Sequence, residues 1–130
     1  MRGVSVPVAL DRLYAEVERF GRSPYLLTVA ADGRPHAVAV TVRWRGDELV
    51  ASAGNRTRAN AAERPLVSLL WPPAEPGGFS LIVDGTAADA DGGGVSVRPT
   101  TAVLHRPAPR EPGDDRDSSC GSDCVPLDQG

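Results

Sequence analysis

A basic, polar segment lies between apolar stretches of the sequence. Residues 54–60 read Gly-Asn-Arg-Thr-Arg-Ala-Asn and hold two guanidinium groups, one hydroxyl and two amides. These groups donate hydrogen bonds, and arginine in particular pairs well with phosphate oxygens. The segment therefore predicts a site for an anion such as a phosphate, unless its arginines are simply solvated near a turn. The side chains predicted to hold the anion are those of Arg56, Thr57, Arg58 and Asn60.

Two histidines, His36 and His105, are the only other ordinary acid–base candidates near neutral pH. Each is placed at the end of a predicted strand. Two histidines exclude a histidine-rich metal site, but one of them could act as an acid–base group or as a single axial haem ligand.

Two cysteines, Cys120 and Cys124, are close to the end of the sequence. Their C-x3-C spacing is neither the redox C-x2-C pattern nor half of a standard zinc knuckle. We interpret them as two reduced thiols in a tail. A reversible disulfide and a metal chelate shared across a dimer are the alternatives.

Short apolar runs surround the basic segment and must position it. Their alternation, with valines on one face of residues 36–44 and small or polar residues on the other, is typical of strands. Asp32-Gly33 predicts a turn after the first strand, and Gly85 predicts a bulge inside the fifth. The predicted strands are residues 25–30, 36–44, 49–53, 66–71, 79–90 and 95–105.

Two helices are predicted beside these strands. Over residues 7–20, apolar residues recur at the spacing of one helical face, and Gly21 suits the helix end. A second, short helix is predicted over residues 59–63, directly after the basic segment, and Pro65 stops it.

Composition restricts the classes of function. The 130 residues carry a formal net charge of −3, which argues against general nucleic-acid binding. No apolar run reaches membrane-spanning length and no signal-peptide pattern is present, so we expect a cytoplasmic protein that binds no membrane. Residues 1–106 are predicted to form one domain. Residues 107–130 are rich in Pro, Gly and Asp and are predicted to be a disordered tail.

The order of these elements resembles the flavin-binding split β-barrel, the fold of the pyridoxamine 5′-phosphate oxidase-like proteins and the deazaflavin-dependent reductases. The resemblance covers residues 8–106. It implies a mainly β fold, a six-stranded antiparallel split β-barrel with an N-terminal helix and one short helix. The segments that carry the resemblance are Tyr25–Val29 with Asp32–His36, Arg56–Asn60 followed by Arg64–Leu69, and Val83–Ala87.

This resemblance implies a homodimer that binds FMN or the deazaflavin F420 in a groove between subunits, and acts as a small oxidoreductase of unassigned substrate. The cofactor's ring would rest on the backbone of Val40, Thr41 and Val42. Trp71 could wall the ring pocket, and a place in the core or in the dimer interface is its alternative role.

One departure from the family separates this chain from the true pyridoxamine 5′-phosphate oxidases. Those enzymes carry a phosphate-binding Arg on the second strand, where this chain has Val38 or Ala39. We therefore do not predict oxidation of vitamin B6. A second class of function is a non-catalytic binding or sensing module for a flavin or, as a weaker alternative, haem, with the cysteine tail as a redox reporter.

Overall fold

The computed structural model describes residues 3–108, which form eight strands and two α-helices. The helices are α1 (Leu13–Phe20), preceded by a 3-10 turn at Leu10–Arg12, and α2 (Asn55–Glu63). The strands are β1 (Val4–Pro7), β2 (Tyr25–Val29), β3 (Pro35–Ala39), β4 (Val42–Arg45), β5 (Glu48–Ser52), β6 (Leu66–Trp71), β7 (Ser80–Ala90) and β8 (Gly94–Arg106).

All eight strands belong to one antiparallel sheet, in the order β3-β2-β6-β7-β8-β5-β4, with β1 paired to the far end of β8. The two outermost strands of this order, β3 and β4, follow each other in the chain. Only Val40 and Thr41 join them, so the two edges of the sheet approach each other at that end. The sheet therefore curls into a split barrel, as the resemblance implies, and we call Val40 and Thr41 the seam.

The predicted mainly β, split-barrel class is confirmed, but the strand count is eight and not six. The predicted strand over residues 36–44 is divided at the seam, because its first half pairs with β2 and its second half with β5. The other additional strand is β1, which the predicted helix over residues 7–20 overlapped at Pro7. The α-helical part of that segment begins only at Leu13, and it ends at Gly21 as predicted.

Several local predictions are confirmed by the backbone. Gly33 has a φ of +85° in the turn after β2, a conformation that side chains other than glycine's rarely allow. Gly85 marks a shift of register between β7 and β8, as expected of a bulge. A Cβ at Gly85 would lie 2.6 Å from the carbonyl oxygen of Arg98, so only glycine fits there.

The core lies inside the curled sheet and is closed by α1. Alternate side chains of the long strands point into it, which is why the apolar pattern has a period of two. Burying each large apolar side chain contributes about 1.5–3 kcal/mol. The fully buried set includes Leu13, Val17, Leu26, Leu49, Leu69, Trp71, Leu81, Val83 and Val97.

Within residues 3–108, no helix is long and apolar enough to cross a membrane. The last strand, β8, ends at Arg106, and the division of the chain into a domain over residues 1–106 and a tail stays a prediction. The predicted disordered tail falls, from residue 109 onward, outside the described residues, and so do Cys120 and Cys124.

Candidate functional site

An open groove of about 650 Å³ lies where β3, the seam, the end of β5 and the start of α2 meet. We call it the α2 groove. Its strand side is mostly apolar, and its helix side is polar. The lining residues are His36, Val38, Ala39, Val40, Ser52, Ala53, Gly54, Asn55, Arg56 and Thr57.

The N-terminus of α2 forms the polar end of this groove. The helix has nine residues, and its N-cap, Gly54, has no side chain to accept a hydrogen bond from the first turn. The first bond within the helix runs from Arg58 N–H to Gly54 C=O, 3.0 Å. The N–H groups of Asn55, Arg56 and Thr57 consequently have no carbonyl partner in the helix. Such N–H groups, with the helix dipole, favour an anion.

The charge on the groove has one sign. Arg56 is exposed, and it makes no ion pair within residues 3–108. No carboxylate is among the lining residues. The groove therefore suits a ligand with an anionic group at the helix end and an apolar, flat portion along Val38 and Val40.

Three polar contacts fix α2 against the barrel. The Asn60 amide donates to the Thr28 hydroxyl, 3.2 Å away, and both side chains are buried. The Arg64 guanidinium donates to the carbonyl oxygen of Val29, 2.6 Å away. Arg58 lies 3.3 Å from Asp89 on β7. Because these contacts tie the helix to both β2 and β7, its N-terminus is held in place before any ligand arrives.

The structure divides the predicted site residues into three sets. Val40, Arg56 and Thr57 line the α2 groove. Thr41 and Val42 line a neighbouring depression of about 260 Å³, which meets the groove at Ser52. The residues that line neither depression are Arg58, Asn60 and Trp71.

These last three side chains make contacts within the fold, and none of them lines the α2 groove, so their roles in cofactor binding stay predictions. Asn60 anchors α2 to β2, and Arg58 is paired with Asp89. Trp71 is 2% exposed, and its indole N–H donates to the carbonyl oxygen of Gly21. Of the three places considered for Trp71, the ring pocket, the core and the dimer interface, the structure shows the core.

The sequence grouped Arg56 with Arg58 because the basic segment was treated as one unit. In an α-helix, residues two positions apart point about 200° apart around the axis. Arg56 therefore faces the groove while Arg58 faces β7. Sequence reasoning did not assign His36 to the site. The alternation of side chains along the strand could have assigned it, because His36, Val38 and Val40 share one face.

A second cleft, of about 450 Å³, lies between α1, the β4–β5 turn and β8. Its guanidinium, that of Arg98, is already paired with Asp47 and with Glu48, the latter at 2.7 Å. A hydrogen bond from Ser96 and the charges of Arg98 and Arg45 hold the pKa of Glu48 below its ordinary value, against the opposing effect of burial. Since its cation is neutralised, this cleft is a poorer anion site than the α2 groove.

No model of a known protein family matches this chain. The uncharacterized protein Mb0449c of Mycobacterium bovis is 42% identical over an alignment of 135 positions, which covers 91% of this chain and 93% of that protein. Two solved structures share the fold. A candidate pyridoxamine 5′-phosphate oxidase from Listeria innocua has a TM-score of 0.62 at 19% identity, covering 73% of this chain and 96% of that one. The FAD-binding protein of Mycobacterium smegmatis has a TM-score of 0.60 at 14% identity, covering 78% and 98%.

Proposed function

We propose that this protein binds a flavin or deazaflavin through the cofactor's phosphate. The chain belongs to one family with the mycobacterial protein Mb0449c, and it has the fold of the pyridoxamine 5′-phosphate oxidase-like split β-barrels. The observation that carries the proposal is the polar end of the α2 groove. There, three N–H groups without helical partners lie beside Arg56, which forms no ion pair among residues 3–108, and no carboxylate is among the lining residues.

The donor set fits such a cofactor. The first-turn N–H groups of α2 and the Arg56 guanidinium would hold the phosphate, and the apolar wall at Val38 and Val40 would take the ring. When bound, a flavin supplies the hydride or electron transfer itself. The residues of this chain would therefore orient the ring, neutralise the phosphate and exclude water from one face of the ring.

The reaction class that follows is that of a small oxidoreductase, with FMN as the first cofactor to test and F420 as the second. A flavin-binding sensor would share the same groove. A turnover assay distinguishes an oxidoreductase from a sensor. An oxidoreductase reoxidises or reduces its bound cofactor with a second substrate, whereas a sensor retains the cofactor unchanged.

A homodimer is part of this proposal, and the outer face of the sheet supports it. The outward row that crosses β3, β2, β6, β7 and β8 is apolar on every strand, and Tyr25 in it is 43% exposed. Leu66, on the same face of β6, is 75% exposed. An apolar row of this kind is suited to burial against a second copy, although the next row on the same face is polar on β6, β7 and β8, where it consists of Ser68, Asp84 and Thr101. The row consists of Ala39, Tyr25, Leu70, Ile82 and Val103.

The test is a titration of the purified protein with FMN, riboflavin and F420, followed by fluorescence. We expect FMN to bind more tightly than riboflavin, because riboflavin lacks the phosphate. Arg56→Ala should weaken FMN binding roughly 10- to 100-fold, the value of a hydrogen bond to a charged group. Arg34→Ala is the matched control, since Arg34 is 81% exposed and lies outside the groove.

Two results would count against the proposal. One is that neither FMN nor F420 binds to the protein. The other is that FMN and riboflavin bind equally well and Arg56→Ala leaves both affinities unchanged, because the phosphate would then not be held at α2.

A further inference from the structure

We infer that His36 donates a hydrogen bond from Nε2 to the ring portion of the ligand in the α2 groove, and so favours the reduced form of a bound flavin. This inference rests on the proposed function, because it takes the ligand to be a flavin. It concerns the strand wall of the groove, whereas the phosphate contacts are made at the helix end.

The position of His36 is set by the register of β2 and β3. His36 lies opposite Thr28 and one pleat before Val38, which lies opposite the buried Leu26. Its side chain therefore lies on the concave face of this edge strand, where it lines the groove together with Val38 and Val40. The groove lining holds two titratable side chains. His36 is on the strand wall, and Arg56 is at the helix end.

The surroundings of the two ring nitrogens differ. Nδ1 of His36 is buried and has no hydrogen-bond partner among the described residues. Nε2, in contrast, is not left buried without a partner. A neutral imidazole carries one N–H. A buried N–H without an acceptor costs about 1–3 kcal/mol, and unpaired donors are rarer in proteins than unpaired acceptors. The proton is therefore placed on Nε2, where the donor is open to the groove.

A donor at this wall has a defined effect on a redox ligand. The ring of a flavin carries carbonyl oxygens and ring nitrogens, which accept hydrogen bonds and become richer in electrons when the ring is reduced. Hydrogen bonds to such atoms tune the cofactor. Nε2–H of His36 would stabilise the reduced ring more than the oxidised one, because the acceptor atoms of the reduced ring are richer in electrons.

The first experiment compares the wild type with His36→Phe, which keeps a ring but removes the donor, and with His36→Gln, which keeps an amide donor at a similar reach. His105→Phe is the matched control, because His105 bonds Ser5 away from the groove. The dissociation constants for oxidised and reduced FMN are measured for each protein. We expect His36→Phe to weaken the binding of reduced FMN about tenfold more than that of oxidised FMN, which lowers the potential of the bound flavin by about 30 mV. The Gln and His105→Phe variants should stay close to the wild type.

The outcomes separate this inference from the proposed function. If the wild type binds FMN and the reduced-to-oxidised ratio is unchanged in His36→Phe, only the role of His36 is overturned. If the wild type binds no flavin, both fall. Melting temperatures establish that each variant is folded. Should His36→Phe not fold, His36→Leu takes its place, and an unchanged ratio there has the same consequence.

A second measurement needs no cofactor. Long-range ¹H–¹⁵N correlation spectra of the ligand-free protein distinguish the two imidazole tautomers, and the His36 signals are those absent from His36→Gln. We expect the Nε2–H tautomer. A proton on Nδ1 would overturn the inference, because the nitrogen facing the groove would then have no hydrogen to donate.

Discussion

The Asn60 side chain could donate a hydrogen bond to a phosphate, but in this fold it donates to the Thr28 hydroxyl. Its amide is buried beside Thr28 and ties α2 to β2, so the residue acts on the site only through the helix that carries it. The sequence shows the type of the residue. The direction of its side chain depends on a strand more than thirty positions earlier in the chain, which no local pattern reports.

Replacement of Asn60 by Ala should destabilise the protein by about 1–3 kcal/mol, because the buried Thr28 hydroxyl loses its donor. Urea unfolding measures the loss. In the double variant Asn60→Ala, Thr28→Val the unpaired hydroxyl is gone as well, and part of the stability should return. Equal stability of Asn60→Ala and the wild type would contradict the anchoring role, and Asn55→Ala, at an exposed position, is the control.

Ser96 should matter more for stability at neutral pH than in acid. Its buried hydroxyl donates to Glu48, 2.6 Å away, and is the leading cause of that carboxyl's lowered pKa. A carboxyl whose pKa is lower in the folded state contributes stability that is present above its unfolded pKa of about 4.3. That contribution is lost as the pH falls through the still lower folded pKa.

The measurement is the difference in unfolding free energy between the wild type and Ser96→Ala at pH 7 and at pH 3. We expect the larger difference at pH 7. Ser80→Ala is the control, because the Ser80 hydroxyl bonds no carboxylate in residues 3–108, and its effect should not change with pH. A Ser96→Ala effect that is the same at both pH values would refute the assignment.

The basic segment, residues 54–60, forms the N-cap and the first six residues of α2. Its N-cap, Gly54, leaves the first-turn N–H groups open to the α2 groove. Asp and Asn are strong N-cap residues, and the chain does not use either of them here. An open N-terminus costs the helix some stability, and it leaves the donors free for a ligand.

Gly54→Asp should therefore stabilise the protein by a few tenths of a kcal/mol and at the same time suppress FMN binding. The new carboxylate would occupy the open N–H groups and repel the phosphate. There is room for it, since nothing lies within 4 Å of a Cβ at Gly54. Gly54→Asn is the matched control, a cap without charge, and we expect a smaller loss of affinity. Tight FMN binding by Gly54→Asp would show that the phosphate is held elsewhere.

At the scale of the whole molecule, the α2 groove ends in polar groups, whereas the outer sheet face exposes large apolar side chains. The groove is polar at one end and has no carboxylate, whereas the outer face of β2 and β6 exposes Tyr25 and Leu66. Such an apolar face suits a second subunit, and a small β domain gains from the additional burial. The outer face of the sheet, which does not face the core, is therefore the proposed contact surface of the homodimer.

Leu66→Glu should convert a dimer into a monomer, because a charge would be buried in the proposed contact. Sedimentation equilibrium measures the mass. Leu10→Glu is the control, since Leu10 is 48% exposed and lies beside the second cleft and not on the outer face. A monomeric wild type at high protein concentration would remove the dimer from the proposal, and a Leu66→Glu variant that remains dimeric would place the interface on another surface.

The sequence by itself determined the features that depend on neighbouring residues. Strand alternation correctly separated Val38 and Val40 from the exposed Ala37 and Ala39, because successive side chains of a strand must face opposite ways. Gly33 and Gly85 correctly marked a turn and a bulge, because only glycine fits there. The split-barrel class followed from the resemblance of their order to the pyridoxamine 5′-phosphate oxidase-like family.

Only the tertiary structure decided which of those elements meet. β1 was missed because all four of its residues are exposed and its pairing with β8 spans most of the domain. The early start of α2 was missed because Asn and Thr are poor helix formers, and contacts to Thr28 and Asp89 outweigh that preference. The same distant contacts tie Arg58 and Asn60 to neighbouring strands, and the pairing of β3 with β2 brings His36 to the groove. The direction of a side chain is fixed by what its element packs against.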